Sequence, residues 1–381
     1  MRPTPAPRPL ARSRNGRRVS PVCAKMPHRP MTDEPSSEIL AASPVHGDEE
    51  PPRPWRARAL RALDRWLVVG AVGTLLVAAL RLAPTQTPFP FSALEAEARW
   101  AALLALLGLG AALSRRSTRT GAAYGLACAI LVPWSLEWLP VSVGRRGGLP
   151  VELRVLSTNV LAPSPTPALA REIRDSGADV VLVQEASTEW WSLLEREGVL
   201  ARYPHRVEET HSFREDYMGI AILSRLPLVA SGIADLGGVP RAWADVRTDA
   251  GSVVRFHCIH TWPPYVPELL DRHVGQMDRL RALVAADRND PSVDALVVGG
   301  DFNASPMSFQ YRRLRDAGLV SAHERVGRGF ATTWPNLAVP IPPMRLDHVF
   351  VAGRIEPVSV REGEGEGSDH LPVFVELSLD P

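Results

Sequence analysis

From residue 151 onward the chain repeats one pattern: a short apolar run that ends at polar side chains. "VELRVLSTN" ends at Asn159, "DVVLVQE" at Glu185, "VVRFHCIH" at His260, and "ALVVGGDFN" at Asp301 and Asn303. "RLDHVFV" carries Asp347, and "GSDHLPVF" carries Ser368, Asp369 and His370. Runs this short, rich in Val, Ile and Leu, read as buried strands. "GIAILS" and "AWADVR" add two more. Helical patterns lie between them: one opened by Thr166 and Pro167 and stopped at Gly177, the others at about 187–198, 267–288 and 306–317. Mixed strands and helices over some 230 residues predict an α/β sandwich, with packed sheets inside and helices outside. In such a layered protein the polar strand ends converge on one rim.

The preceding 150 residues differ. They carry 19 Arg and one Lys against 10 acidic residues, whereas residues 151–381 carry 23 Arg against 32 acids. The two parts are therefore +10 and −9. Residues 1–54 hold few large apolar side chains and many Pro, Arg and Ser, which predicts disorder. Residues 55–146 form a predicted membrane domain with about three transmembrane helices. Its apolar segments start at Trp66, Trp100 and Gly121, and each approaches the roughly 20 residues that cross a bilayer. Arg residues flank the first span and the loop between the second and third, eight against four on the other side. This bias places the N-terminus inside the cytoplasmic membrane and residues 147–381 outside the cytoplasm.

The strand ends offer a coherent chemistry. Residues two apart in a strand share a face, so Asp301 and Asn303 point together while Phe302 points away. A carboxylate and an amide on one face can move a proton and hold a phosphoryl oxygen. Gly299 and Gly300 allow close approach of a ligand or another backbone. Glu185 supplies the hard oxygen that Mg²⁺ prefers. Asp347 beside His370 would orient the imidazole and stabilise its charge. The three cysteines, Cys23, Cys128 and Cys258, are far apart and make no metal spacing. Cys258 reads as a small buried apolar residue.

Together "STNV", "QEAS", "GIAILSR", "HTWPP", "GGDFNASP", "RLDHVFV" and "GSDHLPV" resemble the endonuclease/exonuclease/phosphatase superfamily, over about residues 153–378. That resemblance implies a four-layered α/β sandwich of the deoxyribonuclease I type and hydrolysis of phosphoester bonds with Mg²⁺ or Mn²⁺. It implies metal ligation by Glu185, helped by Asn159 and Asp369. It makes His370 a general base or phosphate-orienting group held by Asp347, and Asp301 the group that positions water or protonates the leaving oxygen. Asn159 and Asn303 donate to phosphoryl oxygens, and His260 is a candidate general acid. The acidic residue that some nucleases carry around 205–217 has no counterpart, and the tyrosine of abasic-site enzymes has no clear match, although Tyr217 lies nearby. With membrane helices ahead of it, the chain is similar to a bacterial membrane-bound subgroup thought to act on phosphorylated lipid carriers.

Nucleic acid is the less favoured substrate, because phosphate contacts require a basic surface and this part of the chain is acidic. The expected substrate is a phosphate ester or pyrophosphate on a lipid or small molecule. An extracytoplasmic nuclease and a membrane-tethered binding protein with a degenerate site are the alternatives. The oligomeric state is not legible in the sequence.

Overall fold

The computed structural model describes residues 54–136, 148–215, 217–327, 331–339 and 341–379. The expectation of disorder over 1–54 falls, but for Pro54, outside them. Four helices come first: α1 (Pro54–Arg81), α2 (Phe91–Ala96), α3 (Ala98–Ser114) and α4 (Thr118–Leu136). The next stretch runs β1 (Leu153–Asn159), α5 (Pro167–Asp175), β2 (Val180–Gln184), α6 (Thr188–Arg196), α7 (Val199–Arg202), β3 (His205–Glu209) and β4 (Ile220–Ser224). It continues with β5 (Leu228–Asp235), β6 (Pro240–Arg247), β7 (Val253–His260), α8 (Pro267–Asp287), β8 (Ala295–Asp301) and α9 (Phe309–Asp316). The chain closes with β9 (Val320–Ser321), α10 (Ala322–Val326), β10 (Asp347–Gly353), β11 (Ile355–Glu362) and β12 (Val373–Leu379).

Among the described residues the strands form two six-stranded sheets, ordered β11-β12-β1-β2-β4-β3 and β5-β6-β7-β8-β10-β9. The period-2 alternation of each strand builds the layers. In β2, Val180 and Leu182 face the second sheet, while Val181 and Val183 face α5 and α6. In β8, Val297 faces inward and Leu296 and Val298 meet α8 and α9. Both faces are covered, so these strands read as continuous apolar runs. Each fully buried Leu, Val or Phe side chain contributes about 1.5–3 kcal/mol. The result is the four-layered sandwich.

Each sheet holds one parallel pair, β1 with β2 and β7 with β8. Their C-terminal ends therefore reach the same edge. β10 and β12 run antiparallel to these pairs, so their N-terminal ends reach that edge too. The polar residues collect at one rim for this reason. Gly300 is indispensable there: its φ is +146°, and a Cβ would lie 1.9 Å from the Ile259 carbonyl oxygen. Gly299 gives the sheets room, because a Cβ would lie 2.5 Å from Leu182 Cδ1 across the core. The close approach foreseen at these glycines is thus of protein to protein.

Two local expectations change. Thr166 precedes α5 but does not cap it; its hydroxyl donates to the Glu366 carbonyl at 2.7 Å. Cys258 is buried as foreseen, and it also joins the sheets, with Gln184 Nε2 donating to its sulfur at 3.1 Å. Burial pushes its thiol up to about 12, so it is inert as a nucleophile.

Helices form at all three apolar segments, but the count of three spans is corrected to one. Trp55–Arg81 is the helix long and apolar enough, by length and composition, to cross a membrane among the described residues. α3 has 17 residues, which at 1.5 Å each is about 26 Å, short of a bilayer core. α4 begins on Thr118, Arg119 and Thr120 and carries Pro133, Trp134 and Ser135 near its end. The helices pack through small residues, including Ala71, Ala78, Ala101, Ala105 and Ala127. Val68, Val72, Leu104 and Leu107 remain exposed. Leu67, Val77, Tyr124 and Leu131 are buried among the small residues.

Candidate active site

Six strand ends meet at the rim. β1 ends at Asn159, directly opposite Gln184 of β2, so Glu185 follows one step beyond. β8 ends at Asp301, which is paired on one side with His260 of β7 and on the other with Asp347 of β10. His370 lies just before β12, held by Ser368. The Ser368 hydroxyl donates to the Asn159 carbonyl at 2.8 Å and accepts the His370 amide at 3.1 Å.

The side chains form one connected network. Asn159 Nδ2 donates to Glu185 Oε1 at 3.0 Å and to Asp301 Oδ2 at 3.1 Å. Asn159 Oδ1 accepts the Leu161 amide at 3.1 Å, which fixes the orientation of the carboxamide. His370 Nδ1 lies 2.8 Å from Asp347 Oδ2. Asp301 Oδ2 is 3.7 Å from His260 Nε2 and also 3.7 Å from His370 Nε2. His260 Nε2 is 4.0 Å from Glu185 Oε1. Asn159, Glu185, His260, Asp301, Asp347 and His370 are therefore brought together, with Asp301 between the two imidazoles.

Asn303 arrives there differently than expected. It lies beyond the end of β8, and its φ of +45° turns it back toward the rim. Its amide donates to Asp301 Oδ1 at 2.9 Å and its Nδ2 to the Thr261 carbonyl at 2.8 Å. Phe302 does point away, fully buried against Phe350 and Tyr311. Glu185 is also left-handed, at φ +58°. Such backbone costs on the order of 1 kcal/mol or more in a non-glycine residue and persists where its surroundings hold it. Here Ala162 N donates to Glu185 Oε2 at 3.0 Å.

The electrostatics follow from burial. Desolvation raises the Glu185 carboxyl, the Ala162 and Asn159 donors partly offset this, and nearby Asp369 raises it further. Burial likewise lifts Asp301 to about 6, against the pull of His370. Burial would depress His370, but the Asp347 and Asp301 carboxylates outweigh it and push the imidazole up to about 10. His370 is therefore a cation at neutral pH. Asp301, Asp347 and His370 bring ligand-capable atoms within 4.8 Å of one another, yet the imidazolium already balances that carboxylate pair.

Glu185 lies near His370 and 4.0 Å from His260 Nε2, yet burial still keeps its carboxyl raised. Asp369 Oδ2 accepts Trp334 Nε1 at 3.2 Å, while its Oδ1 is buried with no hydrogen-bond partner among the described residues. Two hard oxygens under desolvation fit a divalent cation. Asn159, as oriented, donates to Glu185 and Asp301, and its Oδ1 is taken by the Leu161 amide.

Two threonines were not singled out from the sequence. Thr261 donates to the Phe302 carbonyl at 2.6 Å and so ties down the 301–303 turn. The Thr333 hydroxyl accepts the Leu346 and Asp347 amides at 3.0 and 3.1 Å. Both stand in the same tripeptide, Thr-Trp-Pro, at 261–263 and 333–335. That recurrence was the available signal.

Comparisons with known proteins agree with the motifs. Several solved structures are similar to the chain. One is an endonuclease/exonuclease/phosphatase from Beutenbergia cavernae, at 19% identity and TM-score 0.48, over 60% of this chain and 72% of that one. A mannosyl-6-phosphatase from Bacteroides thetaiotaomicron shows 17% identity and TM-score 0.45, over 60% and 100%. D. rerio TDP2 complexed with a single-strand DNA product shows 17% identity and TM-score 0.48, over 60% and 99%. No curated protein matches. Residues 156–370 match the model of the Endonuclease/Exonuclease/phosphatase family, more than half of the chain, so the protein belongs to that family and is a phosphoester hydrolase.

Proposed function

We propose that the chain is a membrane-anchored, divalent-metal-dependent phosphoesterase that removes phosphate from, or cleaves pyrophosphate on, a lipid or small molecule outside the cytoplasm. The observation that carries this reading is the His260–Asp301–His370–Asp347 array, joined through Asn159 to a desolvated Glu185. Glu185 and Asp369 would hold Mg²⁺ or Mn²⁺, which when bound neutralises charge on a phosphoryl oxygen. Imidazolium His370, oriented by Asp347, attracts the phosphoryl group electrostatically. Asp301, its carboxyl lifted toward neutrality, takes the proton of the attacking water. His260, on the other side of Asp301, is placed to protonate the leaving oxygen. Asn159 holds Glu185 and Asp301 in place, and Asn303 has its amide beside the phosphoryl position.

The helical segment supports anchoring. Arg115 pairs with Asp64 at 2.9 Å, so the start of α1 lies beside the α3–α4 turn. At the other end the Arg81 guanidinium stacks on Trp134 at 4.1 Å. Arg58, Arg61, Arg65, Arg115, Arg116 and Arg119 thus gather at one end of the bundle, and the catalytic sandwich adjoins the other. That polarity supports an extracytoplasmic sandwich.

Two measurements test the reading on the full chain in detergent. With Mg²⁺, prenyl pyrophosphate or prenyl phosphate is expected to be hydrolysed at least about 100-fold more efficiently than plasmid DNA, and EDTA to abolish both reactions. Faster DNA cutting would establish a nuclease instead, and no metal-dependent turnover of any phosphoester would leave a tethered binding protein. In the same assay kcat/KM should follow a bell. It drops about tenfold per unit as pH falls through about 6, where Asp301 gains its proton, and drops again as pH rises through about 10, where His370 loses its own. A flat profile between 4.5 and 7 would remove Asp301 as the base.

A further inference from the structure

A cavity of about 400 Å³ lies between the membrane-proximal helices and the sandwich, within the range of small-molecule sites. Ser92, Ala93 and Ala96, on α2, form one wall; Leu270, Phe309 and Leu346 belong to the other. The lining is predominantly apolar. The cavity borders the active site: Asn303 and Trp334, which line it, hydrogen-bond to Asp301 and Asp369.

Its walls are held together by satisfied polar contacts. Arg312 pairs with buried Glu95 at 2.7 Å and donates to the Arg81 carbonyl at 3.2 Å. Ser305 Oγ donates to the Ala96 carbonyl at 2.7 Å, and Gln310 Nε2 to Gln86 Oε1 at 3.1 Å. These bonds hold the seam closed, while Ser92 Oγ, Glu97 Oε2 and Gln310 Oε1 stay buried in the lining with no hydrogen-bond partner among the described residues. Most of the lining is nonetheless apolar, with only these few polar atoms on it, which suits a hydrocarbon chain better than a sugar or nucleoside carrying a hydroxyl on nearly every carbon.

We propose that this cavity binds the apolar group of the substrate, so that α2 of the membrane segment supplies part of the substrate site and selects alkyl- or prenyl-linked phosphates. This rests on the phosphoesterase reading above and names the substrate class for it.

The test uses the full chain in nanodiscs and a series of non-hydrolysable n-alkylphosphonates from methyl to octyl, with empty nanodiscs subtracted. Affinity should tighten about fourfold per methylene (~0.8 kcal/mol each) until the cavity fills. Ala93→Trp places an indole in the cavity from an exposed helix position. It should weaken octylphosphonate at least tenfold, leave methylphosphonate within twofold, and keep the melting temperature. Chain-length-independent binding, or an unchanged octyl affinity in Ala93→Trp, would overturn the inference. A steep chain-length series without hydrolysis of any phosphoester would uphold the cavity and overturn the phosphoesterase reading, so the two failures are told apart.

Discussion

Glu185→Gln should reduce metal-supported phosphoester turnover at least about 1,000-fold, with little change in melting temperature. The asymmetry follows from the site. Glu185 is a desolvated carboxylate beside Asp369, hydrogen-bonded by the neutral donors of Asn159 and Ala162. Removing its charge relieves like-charge repulsion, which offsets the loss of the Ala162 contact, whose N–H would face the new amide. The same change deprives a divalent ion of its main ligand, and several kcal/mol of transition-state stabilisation go with it; about 4 kcal/mol is a thousandfold in rate. The thermal shift on adding Mg²⁺ to the wild type should disappear in the variant. Undiminished turnover, or an unchanged Mg²⁺ shift, would take Glu185 out of the metal site.

Asp347→Asn should lower kcat/KM by about 10³- to 10⁴-fold, the scale seen when an imidazole loses its orienting carboxylate. Asp347 is fully buried and its amide is fixed by Thr333, so the asparagine keeps the shape of the site. It removes the largest of the influences that raise His370, leaving burial to pull the imidazole down. The alkaline limb of the pH profile should therefore move well below 10. A purely structural role would lower activity without moving that limb, so a fixed limb would refute the assignment.

The sandwich was legible because its central strands are buried on both faces, which writes β2 and β8 as unbroken apolar runs. Their polar ends were legible because a carboxylate closing such a run stands out. Convergence on one rim was foreseeable only in outline. It depends on two parallel pairs flanked by antiparallel neighbours, and single runs do not encode their pairing. Strands with mixed exposure, such as β3 and β5, gave weak alternation and went unread. Strand alternation grouped Asn303 with Asp301, but it lies beyond β8, where a left-handed turn sets its position. Thr261 and Thr333 were overlooked because they act through backbone groups, leaving no charge or metal spacing in the sequence. The helices at 54–136 were found where apolar segments lay, but length and end composition separate α1 from α3 and α4.

Gly299 sits two residue pairs below the rim, where a missing methyl lets the two halves of the sandwich close against Leu182. Asn159 and Glu185 ride on one half, Asp301, His260 and Asp347 on the other. The spacing of the catalytic array is thus a property of the joint between the halves. A wedge at that joint, even one too small to prevent folding, would part Asp301, His260 and Asp347 from Asn159 and Glu185. The enzyme's tuning screw lies beneath its active site, in a position that touches no substrate.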